Sequence, residues 1–407
     1  MFIRKLFDSL IKDLHSKEAI IITGARQVGK TTLLKQFLNY LKEHGFPAFY
    51  INLEDPDFLQ ILNKHPKNIF SLFSIDNKQK NIFLIDEIQY LDNPTNFIKY
   101  LYDEYSDSLK LYVTGSSAFY LDRKFKDSLA GRKKIYIMNT LSFDEFLLFN
   151  GENELAEQVS RLTYQRLDIK MLPLAYQRNL LQYANAYMTY GGYPRVVLAE
   201  SHLEKEEILS ELIRSYIKKD ILESGIKNSQ NVLNLLKILA TQCGSLLNIN
   251  SLSKLLRISN TAVENYLFTL RKSFILSTIR PLTRNIRNEI KKMPKVYFND
   301  LGLRNVLLKD FRPLELKQDK GQVFENFVFR LLLDRLSEDE IKFWRNQQGN
   351  EVDFILKEML ACEVKYTIDH INEKKYQNFK KRYPQMPLHF IYHEGHTVLE
   401  TDNYWQF

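Results

Sequence analysis

Ala19-Ile20-Ile21-Ile22-Thr23-Gly24-Ala25-Arg26-Gln27-Val28-Gly29-Lys30-Thr31-Thr32 is the stretch on which the fold turns. An apolar run ends at Thr23, the pattern G-x-x-x-x-G-K-T closes on Thr31, and a helical pattern follows to Glu43, with Gly45 as its stop. Strand, glycine-rich turn and helix, in that order, make a phosphate cradle. The glycines let the backbone curl until its N–H groups face phosphate oxygens, and the helix N-terminus adds positive partial charge. Lys30 is expected to reach the β- and γ-phosphates and Thr31 to offer its hydroxyl to Mg²⁺. Gly24, Ala25, Arg26, Gln27, Val28, Gly29, Lys30, Thr31 and Thr32 are together the expected nucleotide-binding residues.

Outward from this loop, Phe49–Leu53, Ile82–Ile85 and Leu109–Val113 read as further buried strands with helical patterns between them. That is the signature of a doubly wound parallel sheet. The run Ile82-Phe-Leu-Ile ends in Asp86-Glu87. Asp86 is placed to hold Mg²⁺, and Glu87 to orient or deprotonate an attacking water. Val113-Thr-Gly-Ser-Ser117 ends the next strand, where Ser116 or Thr114 is a candidate γ-phosphate sensor. A turn with hydroxyl caps fits those residues as well. Arg132 is the candidate transition-state arginine, in cis or across a subunit interface, ahead of Arg26 and Arg195.

The 407 residues are 44% hydrophobic and 26% charged, which excludes a disordered or collagen-like chain. Only Cys243 and Cys362 occur, read as reduced buried thiols. With no membrane-length apolar run and no leader-like start, a cytoplasmic protein without membrane contact is expected. The net charge is +8, and Ser251–Asp300 alone carries ten Lys/Arg against three Asp/Glu. An anionic partner such as DNA suits that stretch, and a solvated basic face is the alternative.

Ser251–Lys272 reads as two helices with a short break, Leu252, Leu255, Leu256 and Ile258 facing inward on the first and Val263, Leu267 and Leu270 on the second. Thr261 and Glu264 suggest a capping box. Phe274–Ile279 and Val296–Phe298 would form a wing whose loop carries Arg280, Arg284, Arg287, Lys291, Lys292 and Lys295. Such a winged helix-turn-helix could set its second helix in a DNA groove, with Asn265, Thr269, Arg271 and Lys272 outward, or serve only for packing. Nearer the C-terminus, Glu351-Val-Asp353-Phe-Ile-Leu is followed by Ala361-Cys-Glu363-Val-Lys365. In a hairpin Asp353 approaches Glu363, and the two carboxylates with the Val364 carbonyl form a hard oxygen site for Mg²⁺ or Mn²⁺. Lys365 shares the Glu363 face and could act on a metal-polarised water, and Glu325 on an apolar helix could complete the site. An exposed hairpin with an ordinary ion pair is the plainer alternative.

Gly-Ala-Arg-Gln-Val-Gly-Lys-Thr, Phe-Leu-Ile-Asp-Glu-Ile-Gln, Tyr-Val-Thr-Gly-Ser-Ser, Leu-Ala-Gly-Arg, Leu-Ser-Phe-Asp-Glu-Phe and Gly-Gly-Tyr-Pro occur in that order. The layout resembles the bacterial and archaeal AAA-type P-loop ATPases with an uncharacterised C-terminal domain, itself similar to PD-(D/E)xK nucleases. The resemblance implies ATP binding and hydrolysis on Lys30, Thr31, Asp86 and Glu87. For Glu325, Asp353, Glu363 and Lys365 it implies nuclease capacity. The expected architecture is α/β: a P-loop ATPase core over 1–140, a helical lid over 141–245, a winged-helix module over 246–312 and a nuclease-like α/β domain over 313–407. Two functions follow: an ATP-driven DNA-processing enzyme, or a nucleotide-dependent switch or scaffold for a protein partner. A homo-oligomer fits either.

Overall fold

The computed structural model describes residues 2–75, 78–115, 129–165, 169, 172–221, 225–226, 228–283, 289, 292–394 and 404–406, with 219, 220 and 404–406 described by backbone alone. The chain divides into two compact units, Met1–Asn139 with Lys272–Phe274, and Thr140–Arg271 with Ile275–Phe407.

In the first unit α1 (Leu6–Lys12), β1 (Ala19–Thr23), α2 (Lys30–Glu43), β2 (Ala48–Asn52), α3 (Pro56–Lys64), β3 (Asn81–Asp86), α4 (Pro94–Tyr105), β4 (Leu109–Gly115) and β5 (Lys133–Ile137) follow one another. The five strands form one parallel sheet in the order β2-β3-β4-β1-β5. β1, β3 and β4 are buried along their whole length, built on the apolar runs Ile20–Ile22, Ile82–Ile85 and Leu111–Val113, with the Lys110 ammonium of β4 satisfied by the carbonyls of Ser16 and Glu18. Helices start where the chain supplies caps. Asp55 accepts from the Asp57 N–H at 2.9 Å before Pro56, and Asn93 accepts from the Asn96 N–H at 3.1 Å before Pro94. The parallel register brings the ends of β1, β3 and β4 to one edge, pairing Ile22 with Thr114 and Ile85 with Val113.

The second unit opens with helices α5 (Phe143–Phe149), α6 (Asn153–Arg161), α7 (Leu174–Tyr190), α8 (Pro194–Leu198), α9 (His202–Tyr216), α10 (Ser229–Thr241), α11 (Ile249–Leu256) and α12 (Asn260–Lys272). Then come β6 (Leu276–Pro281), β7 (Lys295–Phe298), α13 (Leu301–Leu308), α14 (Lys320–Leu333), β8 (Ile341–Arg345), β9 (Glu351–Leu356), β10 (Leu360–Thr367), α15 (Gln377–Arg382), β11 (Leu388–Glu394) and β12 (Tyr404–Gln406). The seven strands form a single mixed sheet, β12-β11-β10-β9-β8-β6-β7.

That sheet changes the reading of the basic middle. The two helices and their break are present. β6 and β7, expected as a wing, are instead part of the C-terminal sheet, with β6 pairing parallel to β8. Arg280 and Pro281 find ladder partners in Lys342 and Phe343, so the hairpin gains backbone bonds and buried area it would lack as a free wing. Ser259, not Thr261, caps α12 by accepting from the Ala262 N–H at 3.1 Å. Leu255 is exposed, and Thr269 is buried with its hydroxyl donating to the Asn265 carbonyl at 3.0 Å. Arg271 pairs with Glu338 at 2.7 Å. Arg284, Arg287 and Lys291 lie outside the described residues.

Candidate functional site

In the first unit the loop between β1 and α2 is built on positive φ angles, with Gln27 at 59° and Gly29 at 97°. A Cβ at Gly24 would collide with the Met138 carbonyl, so only glycine fits there. Arg4 fastens the loop from behind, donating to the Val28 carbonyl at 2.7 Å. The Lys30 ammonium is buried and donates to the carbonyls of Gly24 at 3.0 Å and Ala25 at 2.7 Å. Thr31 is half-buried at the first turn of α2, and Thr32 is exposed.

Across the sheet edge Asp86 ends β3, buried. Both its carboxylate oxygens are engaged: the Thr114 hydroxyl donates to Oδ1 and the Tyr50 hydroxyl donates to Oδ2 at 2.9 Å. Glu87 stands at φ 59°, ψ 49°, and its N–H donates to the Thr114 hydroxyl oxygen at 3.1 Å. Thr114 is thus the joint between the two acids, one hydroxyl accepting from Glu87 and donating to Asp86. Gln89 donates to the Glu87 carboxylate. Burial, then the Asp86 charge, raise the Tyr50 pKa far above its ordinary value and keep it a donor. The buried ammonium and the carboxylate with oriented oxygens suit a nucleotide phosphate with its Mg²⁺.

Arg132 is not brought to this edge within the chain. Its carbonyl accepts from the Ala19 N–H at 2.9 Å, at the start of β1, whereas the loop begins after the end of that strand. Its guanidinium is paired with Asp103 of α4 at 2.6 Å. Ser116 lies outside the described residues.

The second unit holds an acid centre. The β9–β10 register pairs Phe354 with Cys362, so Asp353 and Glu363 fall side by side one step further along. Val364 N–H donates to Asp353 Oδ2 at 3.0 Å, and Asp353 N–H donates to Glu363 Oε2 at 3.3 Å. The Lys365 ammonium donates to Glu363 and, at 2.9 Å, to the Val364 carbonyl, and stands 4.0 Å from Asp353 Oδ2. On the other side of Asp353 lies a second ammonium. Lys295 Nζ is 3.1 Å from Asp353 Oδ1, 3.1 Å from Glu325 Oε1 and 2.6 Å from Glu351 Oε1. Tyr297 donates to Glu325 at 2.7 Å, and Arg345 holds the other Glu351 oxygen at 3.0 Å.

Helix α14 carries Glu325 into place because the next residue anchors it. The Asn326 side chain accepts from the Phe298 N–H and donates to the Phe298 carbonyl, both at 2.8 Å, as a neighbouring strand would. Gly244 leaves room for the Glu325 carboxylate, which a Cβ there would meet at 3.0 Å.

Burial and then the Asp353 charge push Glu325 up to about 7 and Glu363 up to about 8, against the pull of Lys295 and Lys365 respectively. Burial also opposes the charge on Asp353, but Lys295 and Lys365 outweigh it and hold its pKa below the ordinary value. Among the described residues no three His, Cys, Asp or Glu side chains form a ready-made metal cage. What the centre offers is two carboxylates and the Val364 carbonyl around the Lys365 ammonium. That donor set fits a hard divalent cation once this half-buried, flexible side chain withdraws. Beside it, a cavity of about 570 Å³ is lined by Lys292, Arg345, Arg382, Asn346, Gln348 and Trp344, and none of its lining residues is acidic.

Residues 16–147 match the family model described as "AAA domain". This region is an AAA-type P-loop ATPase domain. Behind the AAA domain, residues 181–314 and 320–407 match two domains of unknown function, DUF8612 and DUF4143. An uncharacterized protein of Methanocaldococcus jannaschii is 27% identical over 366 residues, covering 87% of this chain and 76% of that one. An uncharacterized protein of Haemophilus influenzae is 27% identical over 362 residues, covering 86% and 82%. Among solved structures, the Aeropyrum pernix ORC2 protein in its ADP form aligns over 75% of this chain and 93% of that chain, at 12% identity and a TM-score of 0.37. No described helix is long and apolar enough to cross a membrane.

Sequence reasoning gives no role to Tyr50 and Arg4 in the first unit, or to Lys295, Tyr297, Glu351 and Arg345 at the acid centre of the second. Lys295 was detectable: Lys295-Val-Tyr-Phe298 sets a lysine and a tyrosine on one face of a strand buried throughout. The sequence pattern by itself groups it with the basic residues of the loop before it.

Proposed function

We propose that this chain is a Mg²⁺-dependent ATP hydrolase whose second unit cuts the phosphodiester backbone of DNA. The observation that carries the cutting half is the convergence of Asp353, Glu363 and the Val364 carbonyl on a single cation position. The hydrolytic half is supported by the AAA domain and by the Thr114 joint that aims Asp86 and Glu87 at one edge.

In ATP hydrolysis Lys30 leaves the carbonyls of Gly24 and Ala25 and neutralises the terminal phosphates. Thr31 and Asp86 would hold Mg²⁺, which would supply positive charge against the phosphoryl oxygens. Glu87, released from Gln89, takes the proton of the attacking water. Arg132 acts across a subunit interface, since within its own chain it stands at the far end of β1. At the acid centre Asp353, Glu363 and the Val364 carbonyl would hold Mg²⁺ or Mn²⁺, which would supply the polarisation of a water. Lys365, freed from Glu363, meets the substrate phosphate, and Glu325 lies behind Asp353. The basic, amide-lined cavity beside Arg345 suits the incoming strand.

A second reading is a switch or scaffold in which the acid centre is silent. It is favoured by the ammonium groups that stand among the carboxylates and by the absorption of the wing into the sheet.

The deciding measurement incubates single- and double-stranded DNA with Mg²⁺ or Mn²⁺, with and without ATP. The wild-type chain is expected to cut. Asp353→Ala should stop cutting and spare ATP turnover, and Glu87→Gln should bind ATP but not turn it over. An uncut substrate under every condition would overturn the nuclease and leave the switch.

A further inference from the structure

Asp353 faces two cation positions, one with each oxygen. Oδ2 points to the position shared with Glu363 and the Val364 carbonyl, where the Lys365 ammonium stands. Oδ1 points to the position shared with Glu325 and Glu351, where the Lys295 ammonium stands. A carboxylate that bridges two cation positions is the usual core of a two-metal phosphodiesterase, whose ions sit about 3.5–4 Å apart. The two lysines differ in one respect that matters. The Lys365 side chain is 28% exposed and has solvent to move into. Lys295 is 2% exposed, rises from a strand buried along its whole length, and is held by three carboxylates.

We propose that Lys295 is a built-in cation that permanently fills the second position, so that this centre takes one divalent ion and not two. The inference rests on the reading of the centre as a metal-dependent phosphodiester site. A dication placed within the Glu325–Asp353–Glu351 pocket would meet a fixed ammonium at contact distance, in a region with little water to screen the repulsion. A first ion beside Glu363 meets no such obstacle, because Lys365 can leave. Lys295 does for Asp353 and Glu325 what a second ion would do: it aligns their oxygens and offsets their charge. Stability alone does not account for it. A buried ammonium among carboxylates costs desolvation that an apolar side chain of similar size avoids. Lys295 is a positioning residue in this scheme, acting through Asp353 and Glu325.

The test is the number of Mn²⁺ ions bound per chain without nucleotide, by calorimetry and by electron paramagnetic resonance, with Asp353→Ala as the blank. The wild-type chain should bind one ion with an uncoupled spectrum. Lys295→Met should bind two and show the spin coupling of neighbouring ions, while Lys295→Arg should stay at one. Two coupled ions in the wild-type chain would overturn the role of Lys295 and leave the metal site standing. A single ion in a folded Lys295→Met protein would also overturn it. No Asp353-dependent Mn²⁺ at all would remove the metal reading itself and this inference with it. Because the wild-type count is informative by itself, the test survives a Lys295→Met chain that fails to fold.

Discussion

Thr114 shows how much one hydroxyl can carry. It is fully buried, accepts from the Glu87 N–H and donates to Asp86. Thr114→Val keeps the shape and removes both bonds. Leaving the half-buried Glu87 N–H and a buried carboxylate oxygen short of partners costs about 2–4 kcal/mol in stability. It also frees the two acids from a common frame, and ATP turnover is expected to fall about 10- to 100-fold, in line with the loss of a positioned acid or base. Thr114→Ser should restore most of both. Equal turnover in Thr114→Val and wild type, with nucleotide binding unchanged, would show that the joint is not needed. Tyr50 on β2 completes the arrangement from the other side of Asp86, and only the register of β2 against β3, Asn52 beside Asp86, brings it there.

At the scale of elements, α14 and β7 act as one piece. On the outer side of β7 Val296 exchanges backbone bonds with Gly244 and Ser245, and Asn326 supplies the two corresponding partners to Phe298. The same junction sets Glu325 opposite Lys295 and Tyr297. Asn326→Leu removes both bonds and strands the Phe298 amide and carbonyl in the interior. The second unit is expected to lose about 2–5 kcal/mol in denaturant unfolding, with the AAA domain unaffected. An unfolding midpoint of the second unit within error of wild type would refute that account of the helix anchor. The β9–β10 hairpin is a second example. Its alternation places Asp353 and Glu363 in adjacent rows on one face, and the carboxylate-lysine spacing was readable for that reason. The β6–β7 hairpin was readable, but its joining the C-terminal sheet was not, because a hairpin of two apolar strands has the same pattern whether it ends a module or extends a sheet.

Over the whole molecule, the chain carries two chemistry-bearing edges, each within its own unit. Arg132 belongs to this scale. Bound to Asp103 and set at the start of β1, it completes a nucleotide site only if that site belongs to another copy. ATP turnover per chain should then rise with protein concentration, and Arg132→Ala should flatten and lower the curve. A concentration-independent rate in the wild type would remove Arg132 from the reaction. Because the two edges sit in separate units, Lys30→Ala and Lys365→Ala should each abolish one activity.

The phosphate loop, the acids after β3, the parallel sheet of the first unit (though neither its strand order nor β5) and the Asp353–Glu363–Lys365 spacing were all determined by sequence alone. Each depends on residues close in the chain or on strand alternation, and such local rules survive any packing. Tertiary structure decided the rest. Tyr50 reaches Asp86, Arg4 reaches Val28, and Lys295 enters a cluster drawn from α14 and β9, each across a long loop of chain. Nothing local distinguishes a lysine that ends in water from one that ends among three carboxylates. The difference lies in which strand pairs with β6, and that is settled by burial and hydrogen bonding over the whole seven-stranded sheet.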